Sequence, residues 1–525
     1  MTIFRRDLPR VLLLALVVRL LAAWPQTQPN YMDAAYYTVG GQRLAQGYGF
    51  NDPYVWHYLD HPTGLPNPSH LYWMPLPSIM VAASQAIFGV NYRAAQVPFV
   101  LLSAVLPILA YLIAWQLSAK RRHAWLTALF TSFSPFYFPY WGVPESFTPF
   151  AVFGALALWL GSRDRPTGKQ IVLAGVCAGL AHLSRADGFL LLIPLLINAE
   201  LGLRSMDTQA ARWTTRLRRF GAISIGYLLV MTPWFLRNFN VIGAPLSSAG
   251  TQMAWVCNYD ELFNYGARLD VNHLFGCGLD RVVATKLNGL ASGVVHLIAE
   301  DGAIFLAPLI VIGVWRTRRQ PIVRAVLIDL ALVFGLMMIV FTFAGDRGGL
   351  FHSTSALLPI FYAAAPIGLD ATIGWVAARR HAWNVAAARS VFGVAAIVLT
   401  IGLAVSIYQG RVLGATWSDP VWNQADRVYE TIGQWLRDRG EVDPIVMVNN
   451  PPTFTYHTGL RSIVVPNGDV DTLVAAAHQF AASWIVLDHN RTEPLAGLYA
   501  APESDPRLHL RARFDGTYVL QVITP

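Results

Sequence analysis

Long apolar runs separated by short arginine-rich stretches dominate the hydrophobic pattern of this chain. The first run, residues 8–24, follows Arg5 and Arg6 and could belong to a cleaved signal peptide. Arg19 interrupts it and many more runs follow, so an uncleaved first membrane helix is favoured. Further runs bring the predicted membrane helices to about 11: residues 94–118, 124–140, 147–161, 171–183, 189–203, 220–236, 290–315, 325–343, 354–378 and 391–407.

Residues 71–89 form another apolar run, and its placement decides the orientation of every helix after it. Lysine and arginine accumulate in the cytoplasmic loops beside membrane helices. If residues 71–89 are a juxtamembrane or re-entrant helix rather than a span, all basic clusters fall on the cytoplasmic side, together with the N-terminus. These clusters occupy residues 120–122, 163–169, 204–219, 316–324 and 379–389. The pattern therefore predicts long external loops at residues 25–93 and 241–289.

The pattern of apolar and polar positions changes near residue 410. Beyond it, short alternating runs predict strands, and two amphipathic stretches predict helices between them. The strands are expected at residues 445–448, 462–465, 484–487, 508–514 and 517–522, and the helices at 421–439 and 470–480. Strands that alternate with helices indicate a small α/β layer domain. We therefore predict a membrane domain over residues 1–409 and an extracytoplasmic α/β domain over residues 410–525.

Composition supports an α-helical polytopic membrane protein. Hydrophobic residues make up 54% of the chain and charged residues 13%, with a mean hydropathy of +0.41. In an average soluble protein roughly 25% of residues are charged. The formal net charge of +8 comes from arginines beside apolar runs, so it does not indicate a nucleic-acid partner. The predicted partner is the lipid bilayer, and the predicted location is the plasma (inner) membrane.

Many polar and aromatic side chains lie in the predicted first external loop, between residues 31 and 75. Because this stretch is rich in Trp, Tyr, His and Pro, it is predicted to be an ordered cap over a membrane-embedded site. Asp33, beside Tyr36 and Tyr37, is the candidate general base. The alternative is that Asp33 caps a helix that follows it. Trp73 could stack on a sugar or belong to an interfacial aromatic belt.

Three arginines at the external ends of apolar runs are candidates for binding phosphate: Arg185, Arg237 and Arg347. A fixed guanidinium can chelate two phosphate oxygens in a low-dielectric setting. The alternatives are that these side chains snorkel to water or, for Arg185, that it pairs with Asp187. Glu145 stands at an external helix start, where it is either a second acidic residue of the site or a favourable charge at the helix N-terminus.

Histidines and cysteines supply further candidates. His57, His61 and His70, with a neighbouring aspartate, could bind a divalent metal. Nearby prolines oppose a helix that would align them, so hydrogen bonds and substrate contacts are favoured, and no cofactor is assigned with certainty. Cys257 and Cys277 share the second external loop, where an oxidising compartment would let them form a disulfide.

Four short motifs, in order along the chain, carry a family resemblance. They are Asp33-x-x-Tyr36-Tyr37, Leu183-Ser184-Arg185-Ala186-Asp187-Gly188, Thr232-Pro233-Trp234-Phe235-Leu236-Arg237-Asn238 and Gly345-Asp346-Arg347-Gly348-Gly349-Leu350-Phe351-His352. They resemble the GT-C superfamily of glycosyltransferases, in its family 39 branch of protein O-mannosyltransferases and lipid A aminoarabinose transferases. The resemblance implies transfer of a hexosyl or pentosyl group from a polyprenyl-phosphate donor to an acceptor hydroxyl, with Asp33 as the general base. The substrate-binding set predicted with it is Tyr36, Tyr37, His57, His61, His70, Trp73, Glu145, Arg185, Arg237, Asn238, Arg347 and His352.

The chain also departs from that branch. Ala34 follows Asp33 where many relatives carry an acidic residue, and no lysine stands beside Trp73. The resemblance therefore leaves the acceptor open among a protein, a glycan and a lipid. Two other classes also stay open, a transporter or lipid flippase and a non-catalytic envelope scaffold. A transporter usually shows two related halves with interrupted helices in matching positions, and the sequence shows no such pair.

Overall fold

The computed structural model describes residues 2–163, 165–201, 209–380, 383–490 and 492–523; positions 202–204, which end one predicted run and begin one basic cluster, lie outside them. Every predicted apolar run contains at least one helix. The helices are α1 (Thr2–Ala23), α2 (Met32–Ala45), α3 (Leu76–Phe88), α4 (Tyr92–Ser103), α5 (Leu106–Ser118), α6 (Arg121–Ser132), α7 (Phe147–Gly161), α8 (Gly168–Ser184), α9 (Leu192–Leu201), α10 (Gln209–Ile242), α11 (Ala249–Gln252), α12 (Val271–Gly276), α13 (Leu279–His296), α14 (Ala307–Thr317), α15 (Pro321–Gly335), α16 (Thr342–Ala344), α17 (Leu350–Thr354), α18 (Leu358–Ala377), α19 (Val385–Tyr408), α20 (Val428–Asp438), α21 (Pro451–Thr458), α22 (Val470–Gln479) and α23 (Ala496–Ala500).

Within the described residues, six helical segments are long and apolar enough to cross a membrane. They are Tyr92–Ser118, Arg212–Ile242, Leu279–Asp301, Pro321–Val340, Leu358–Ala377 and Val385–Leu413. Shorter apolar helices, such as α7 and α14, pack beside them. The chain is thus a multi-pass membrane protein, while the larger count of about 11 spans stays a prediction.

The predicted run at residues 290–315 differs most from the structure. It is two helices, α13 and α14, separated by a turn in which Ala303 and Ile304 both have positive φ. In addition, α13 begins at Leu279, so the second external loop ends before residue 289. Polar residues on one face of α13 conceal its start: Lys286, for example, donates a hydrogen bond to the Thr342 hydroxyl at 2.9 Å. The shortened loop is closed by a disulfide between Cys257 and Cys277.

The stretch predicted as the first external loop contains two helices that pack against each other, α2 and α3. Their approach is close: a Cβ on Gly41 of α2 would lie 2.4 Å from the Val81 Cβ of α3. At the start of α3, the Ser78 hydroxyl contacts His70 Nε2 at 2.9 Å and donates to the Tyr37 carbonyl at 3.0 Å. The run at residues 71–89 is therefore a short helix that supports α2.

The C-terminal region contains a mixed sheet with a strand from the first loop. The strands are β1 (Asn51–Asp52), β2 (Tyr54–Val55), β3 (Asn67–Pro68), β4 (Ile445–Val448), β5 (Arg461–Val464), β6 (Ala482–Leu487), β7 (Leu508–Phe514) and β8 (Thr517–Val522). The sheet order is β2-β5-β4-β6-β8-β7, parallel from β2 to β6 and antiparallel beyond. All five predicted strands coincide with observed ones, but β2 was not predicted. The Tyr58 hydroxyl, just after β2, donates to the Val464 carbonyl at 2.6 Å.

A second tie joins the start of the C-terminal region to the segment between α1 and α2. Asn423, which is 7% exposed, accepts a hydrogen bond from the Thr27 backbone N–H at 2.9 Å and donates to the Pro25 carbonyl at 2.8 Å. Its own carbonyl accepts from Gln28 Nε2 at 2.9 Å. Because residues 25–31 lead directly into α2, this contact fixes where α2 begins.

Replacing Asn423 by alanine should destabilise the protein measurably. The change removes both side-chain hydrogen bonds and leaves the buried Pro25 carbonyl without that donor, which costs about 1–3 kcal/mol of unfolding free energy. Gln424→Ala is the matched control, since this amide is exposed and contacts only Asp419. Thermal unfolding of both purified variants provides the comparison. Equal unfolding midpoints for the two variants would contradict a structural role for Asn423.

Candidate active site

A cavity of about 510 Å³ lies where the start of α2, the end of α13 and the segment around α17 come together. Its wall carries both aromatic and charged side chains. The lining residues are Asn30, Tyr31, Asp33, Phe136, Tyr140, Phe147, Ser292, Gly293, Val295, His296, Ala299, Glu300, Met338, Gly345, Asp346, Arg347, Gly348, Leu350, Phe351, His352 and Arg411. Asp33, Arg347 and His352, three of the predicted site residues, therefore line one space.

Asp33 forms a cluster with Glu145 and His352. One oxygen or nitrogen from each of the three side chains lies within 4.8 Å of the other two. His352 Nε2 is 3.0 Å from the Glu145 carboxylate, and Glu145 is fully buried. The N-cap position of α2 is Tyr31, and no side chain caps this helix. The structure thus gives no support to the alternative in which Asp33 caps α2.

Glu145 links the N-terminus of α7 to His352. Its Oε1 accepts the Phe147 backbone N–H at 2.8 Å, at the N-terminus of α7. Its Oε2 contacts His352, whose ring stacks on Phe147 with centroids 3.8 Å apart and planes 10° apart. One oxygen of Glu145 thus satisfies the helix end and the other contacts the histidine, while its role as a second acidic residue of the site stays a prediction.

The hydrogen bonds of His352 limit its protonation. Its Nδ1 lies 2.8 Å from the Gly348 carbonyl, which can only accept, so Nδ1 carries a proton. Its Nε2 faces a carboxylate. His352 Nε2, Asp33 and Glu145 together form a group that could hold a metal ion. A nitrogen and two carboxylates suit a divalent cation, with the Nδ1–H bond to a carbonyl holding the ring in place.

The surroundings of Asp33 change its pKa. Burial raises the pKa of Asp33 to about 6; His352 and Arg185 oppose this shift, and the Glu145 carboxylate adds to it. A carboxyl with a pKa near the working pH is mostly ionised at pH 7 yet basic enough to accept a proton, as a general base requires.

Arg347 is presented to the cavity by a turn that only glycine forms easily. Gly348 has φ of +108°, a conformation that residues with a side chain rarely adopt. The exposed Arg347 guanidinium lies 4.1 Å from the ring centroid of Tyr259. This stacking holds the cation beside the cavity without neutralising it.

Arg237 and Asn238 do not line the cavity, against the prediction. Arg237 donates to the Phe50 carbonyl at 2.9 Å and lies 4.8 Å from the Trp234 ring centroid. Asn238 is buried and donates to the Pro245 carbonyl at 3.1 Å. Both residues connect the end of α10 to neighbouring loops.

Arg185 forms an ion pair with Asp187, which was the alternative interpretation of this residue. Its Nε donates to Asp187 at 3.0 Å, and its Nη2 donates to the Ser353 hydroxyl at 3.2 Å. It does not line the cavity. Its charge still lowers the pKa of Asp33, so it affects the site at a distance.

Tyr31 lines the cavity, but several other aromatic side chains of the first loop form a packed core. Trp73 stacks on Trp56 with centroids 4.1 Å apart, and the Tyr36 hydroxyl accepts the His70 backbone N–H at 2.7 Å. Tyr37 is 2% exposed within the same cluster. None of the residues in this core lines the cavity. In this structure their role is to hold α2 in place.

The three first-loop histidines do not form a metal site. His57 is 5% exposed and lies 3.6 Å from Asp60. His70 contacts Ser69 and Ser78, and His61 is exposed with φ of +48°. Among the described residues, Asp33 with Glu145 and His352 is the group that could hold a metal, since the sulfurs of the other cluster, Cys257 and Cys277 beside His273, are joined in the disulfide. His57 and His70 are hydrogen-bonded, which agrees with the favoured interpretation, and substrate contacts of the three histidines stay a prediction.

Two solved structures show what this architecture is. ArnT from Cupriavidus metallidurans bound to undecaprenyl phosphate superposes with a TM-score of 0.56 at 13% identity, over 97% of each chain. The archaeal oligosaccharyltransferase AglB from Archaeoglobus fulgidus, in complex with an inhibitory peptide and a dolichol-phosphate, gives a TM-score of 0.51 at 12% identity, over 92% of this chain and 69% of that one. The chain has the GT-C fold. The profile of the family described as dolichyl-phosphate-mannose-protein mannosyltransferase matches residues 60–235 of this GT-C chain, so the resemblance to the family 39 branch is confirmed.

No curated protein sequence matches this GT-C chain. The family match covers Glu145 and Arg185 but neither Asp33 nor Arg347, so the roles of the last two are argued from the cavity. Most of the lining residues were not predicted as site residues, and Arg411 is a charged one among them. Arg411 follows the last apolar run, and this is the same signal that selected the other arginines.

Proposed function

We propose that this GT-C chain is an inverting glycosyltransferase that moves a sugar from a polyprenyl-phosphate carrier to an acceptor hydroxyl. The single observation that carries the proposal is that a carboxylate with a raised pKa, Asp33, shares one cavity with an exposed arginine, Arg347. A base and an unpaired cation are the two groups that this reaction needs. The binding of undecaprenyl phosphate by ArnT, which has the same fold, supports the choice of donor.

In the proposed reaction the acceptor oxygen attacks the anomeric carbon of the sugar. Asp33 takes the acceptor proton as the new C–O bond forms. The bond between the anomeric carbon and the phosphate oxygen breaks, and its electron pair leaves with the polyprenyl phosphate. Arg347 stabilises the negative charge that grows on that phosphate. His352 and Glu145 hold the arrangement around Asp33.

The proposed place of reaction is the outer face of the plasma membrane, with the N-terminus in the cytoplasm and the C-terminal region outside. The distribution of basic loops supports this orientation. The acceptor is a protein, a glycan or a lipid, because the first-loop residues that line the cavity, Asn30, Tyr31 and Asp33, do not select among them.

Membranes that contain the protein provide the test. They are supplied with radiolabelled polyprenyl-phosphate sugars, and label is followed into endogenous acceptors. Covalent transfer that depends on the protein supports the enzyme. Movement of the labelled lipid across the membrane, with no label on any acceptor, would instead indicate a flippase and refute the proposal.

The rate of transfer should depend on pH through Asp33. Its pKa is raised to about 6, and the base must be ionised to act. Activity should therefore be half-maximal near pH 6 and fall about tenfold per pH unit below it, rather than near pH 4 as for an ordinary aspartate. Initial rates of transfer from about pH 4.5 to pH 8 measure this.

Glu145→Gln should move that acidic limb to lower pH, because the Glu145 charge contributes to raising the pKa of Asp33. Glu300→Gln is the matched control. Glu300 also lines the cavity, but it pairs with His296 at 2.6 Å and does not contribute to the shift of Asp33. If the limb stays in place in Glu145→Gln, or moves equally in both variants, Asp33 is not the group that titrates.

A further inference from the structure

Arg411 lies in the turn Gln409–Leu413 that ends α19, and its exposed side chain lines the same cavity as Asp33. Its Nη1 donates to the Tyr140 hydroxyl at 2.5 Å. Within the described part of the chain, no carboxylate forms an ion pair with it. Arg347 shares this property, since its contact is the ring of Tyr259. Two guanidiniums from different helices thus reach one cavity without a counter-charge.

Among the described residues, the acidic residues of the cavity form no ion pair with either arginine. Glu300 pairs with His296 at 2.6 Å, Asp346 accepts a hydrogen bond from the Ser292 hydroxyl, and Asp33 clusters with Glu145 and His352. Two guanidiniums without an ion-pair partner are suited to an anion that the chain itself does not supply.

Arg411 is also held firmly. The Tyr408 hydroxyl, one turn before it, donates to the Ala22 carbonyl at 2.6 Å. Val412, directly after it, is fully buried in a cluster with Ala34 and Trp422. Ala34 is the neighbour of Asp33. The same packed cluster therefore fixes the backbone of both Arg411 and Asp33. A phosphate-binding group and a base can act together only when their relative position is held in this way.

We infer that Arg411 binds the phosphate of the donor together with Arg347. This rests on the proposed function and extends it. A sugar-linked polyprenyl phosphate carries one negative charge, and the departing phosphate monoester approaches two. The attraction between a second guanidinium and the phosphate increases as that charge grows. Arg411 should therefore stabilise the transition state and the product more than the bound donor.

The other explanation is that Arg411 only anchors Tyr140. Four variants separate the two: Arg411→Ala, Arg411→Lys, Tyr140→Phe and, as a control, Arg439→Ala. Arg439 is an exposed arginine on α20's C-terminal side, 4.1 Å from the Trp435 ring centroid and outside the cavity. Binding of undecaprenyl phosphate to the purified full-length proteins is measured alongside kcat and KM for transfer.

Arg411→Ala should weaken binding of undecaprenyl phosphate about 10- to 100-fold, as expected for the loss of charge-assisted hydrogen bonds. It should lower kcat by about 10²-fold, while Arg411→Lys retains part of both. Arg439→Ala should change neither by more than about threefold, and Tyr140→Phe should lose less of both than Arg411→Ala. Wild-type binding by Arg411→Ala, or an equal loss in Tyr140→Phe, would overturn the inference. Failure of the wild-type protein to bind undecaprenyl phosphate would instead overturn the proposed function.

Discussion

Asp33→Asn is expected to lower sugar transfer by about 10²- to 10⁴-fold, the usual contribution of a general base. Asparagine has nearly the same shape but cannot accept the acceptor proton. The protein should remain folded, because a carboxyl whose pKa is raised by burial is destabilising when ionised. At neutral pH the neutral amide removes that cost. We therefore expect an unchanged or higher unfolding midpoint together with lost transfer.

Transfer of radiolabel in membranes, normalised to the amount of inserted protein, measures this result. Asp280→Asn serves as the control, since Asp280 is exposed in the first turn of α13 and does not line the cavity. Near wild-type transfer by Asp33→Asn would remove Asp33 from the chemistry. The same large loss in Asp280→Asn would show that the assay reports insertion rather than catalysis.

Arg347→Ala is expected to reduce kcat by about 10²- to 10³-fold, as for the loss of one group that stabilises developing charge. The side chain makes no ion pair within the described residues, and its contact with Tyr259 is with a ring. Its loss should therefore leave the fold intact. The effect should fall mainly on kcat, because the negative charge on the phosphate increases as the sugar departs.

Arg379 provides a close control for this variant. It also stacks on an aromatic ring, with its guanidinium 3.9 Å from the Trp375 centroid, but it stands at the end of α18 and outside the cavity. Arg379→Ala should transfer sugar at the wild-type rate. If both substitutions reduce transfer equally, the loss comes from a stacked surface arginine rather than from the phosphate site.

The membrane helices were the most predictable part of the fold, because an apolar run is a strong signal that needs no tertiary information. The start of α13 was missed for the same reason. Arg281 and Lys286 lower the local hydropathy although both stand in the helix. The break after α13 was also missed, although Asp301-Gly302 directly precedes it and Pro308 follows it. Ala303 and Ile304 adopt positive φ there, a conformation that packing imposes.

The sequence predicted where candidate residues lie along the chain, but not the direction in which their side chains point. Asp33, Arg237 and Arg347 were selected by one rule, a charged residue at the external end of an apolar run. Two of them line the cavity, while Arg237 faces the Phe50 carbonyl instead. The rule locates a residue along the helix axis but not around it. The same rule also selects Arg411, which follows the last predicted apolar run.

The position of β2 affects how the external region can be studied. Tyr54 and Val55 pair with Ser462 and Ile463 along one edge of the sheet. A fragment that began after α19 would lack this neighbour and would present the polar backbone edge of β5 to solvent. Exposed edges of that kind recruit strands from other molecules. Adding a short peptide of the first loop could then restore the missing neighbour, as in donor-strand complementation.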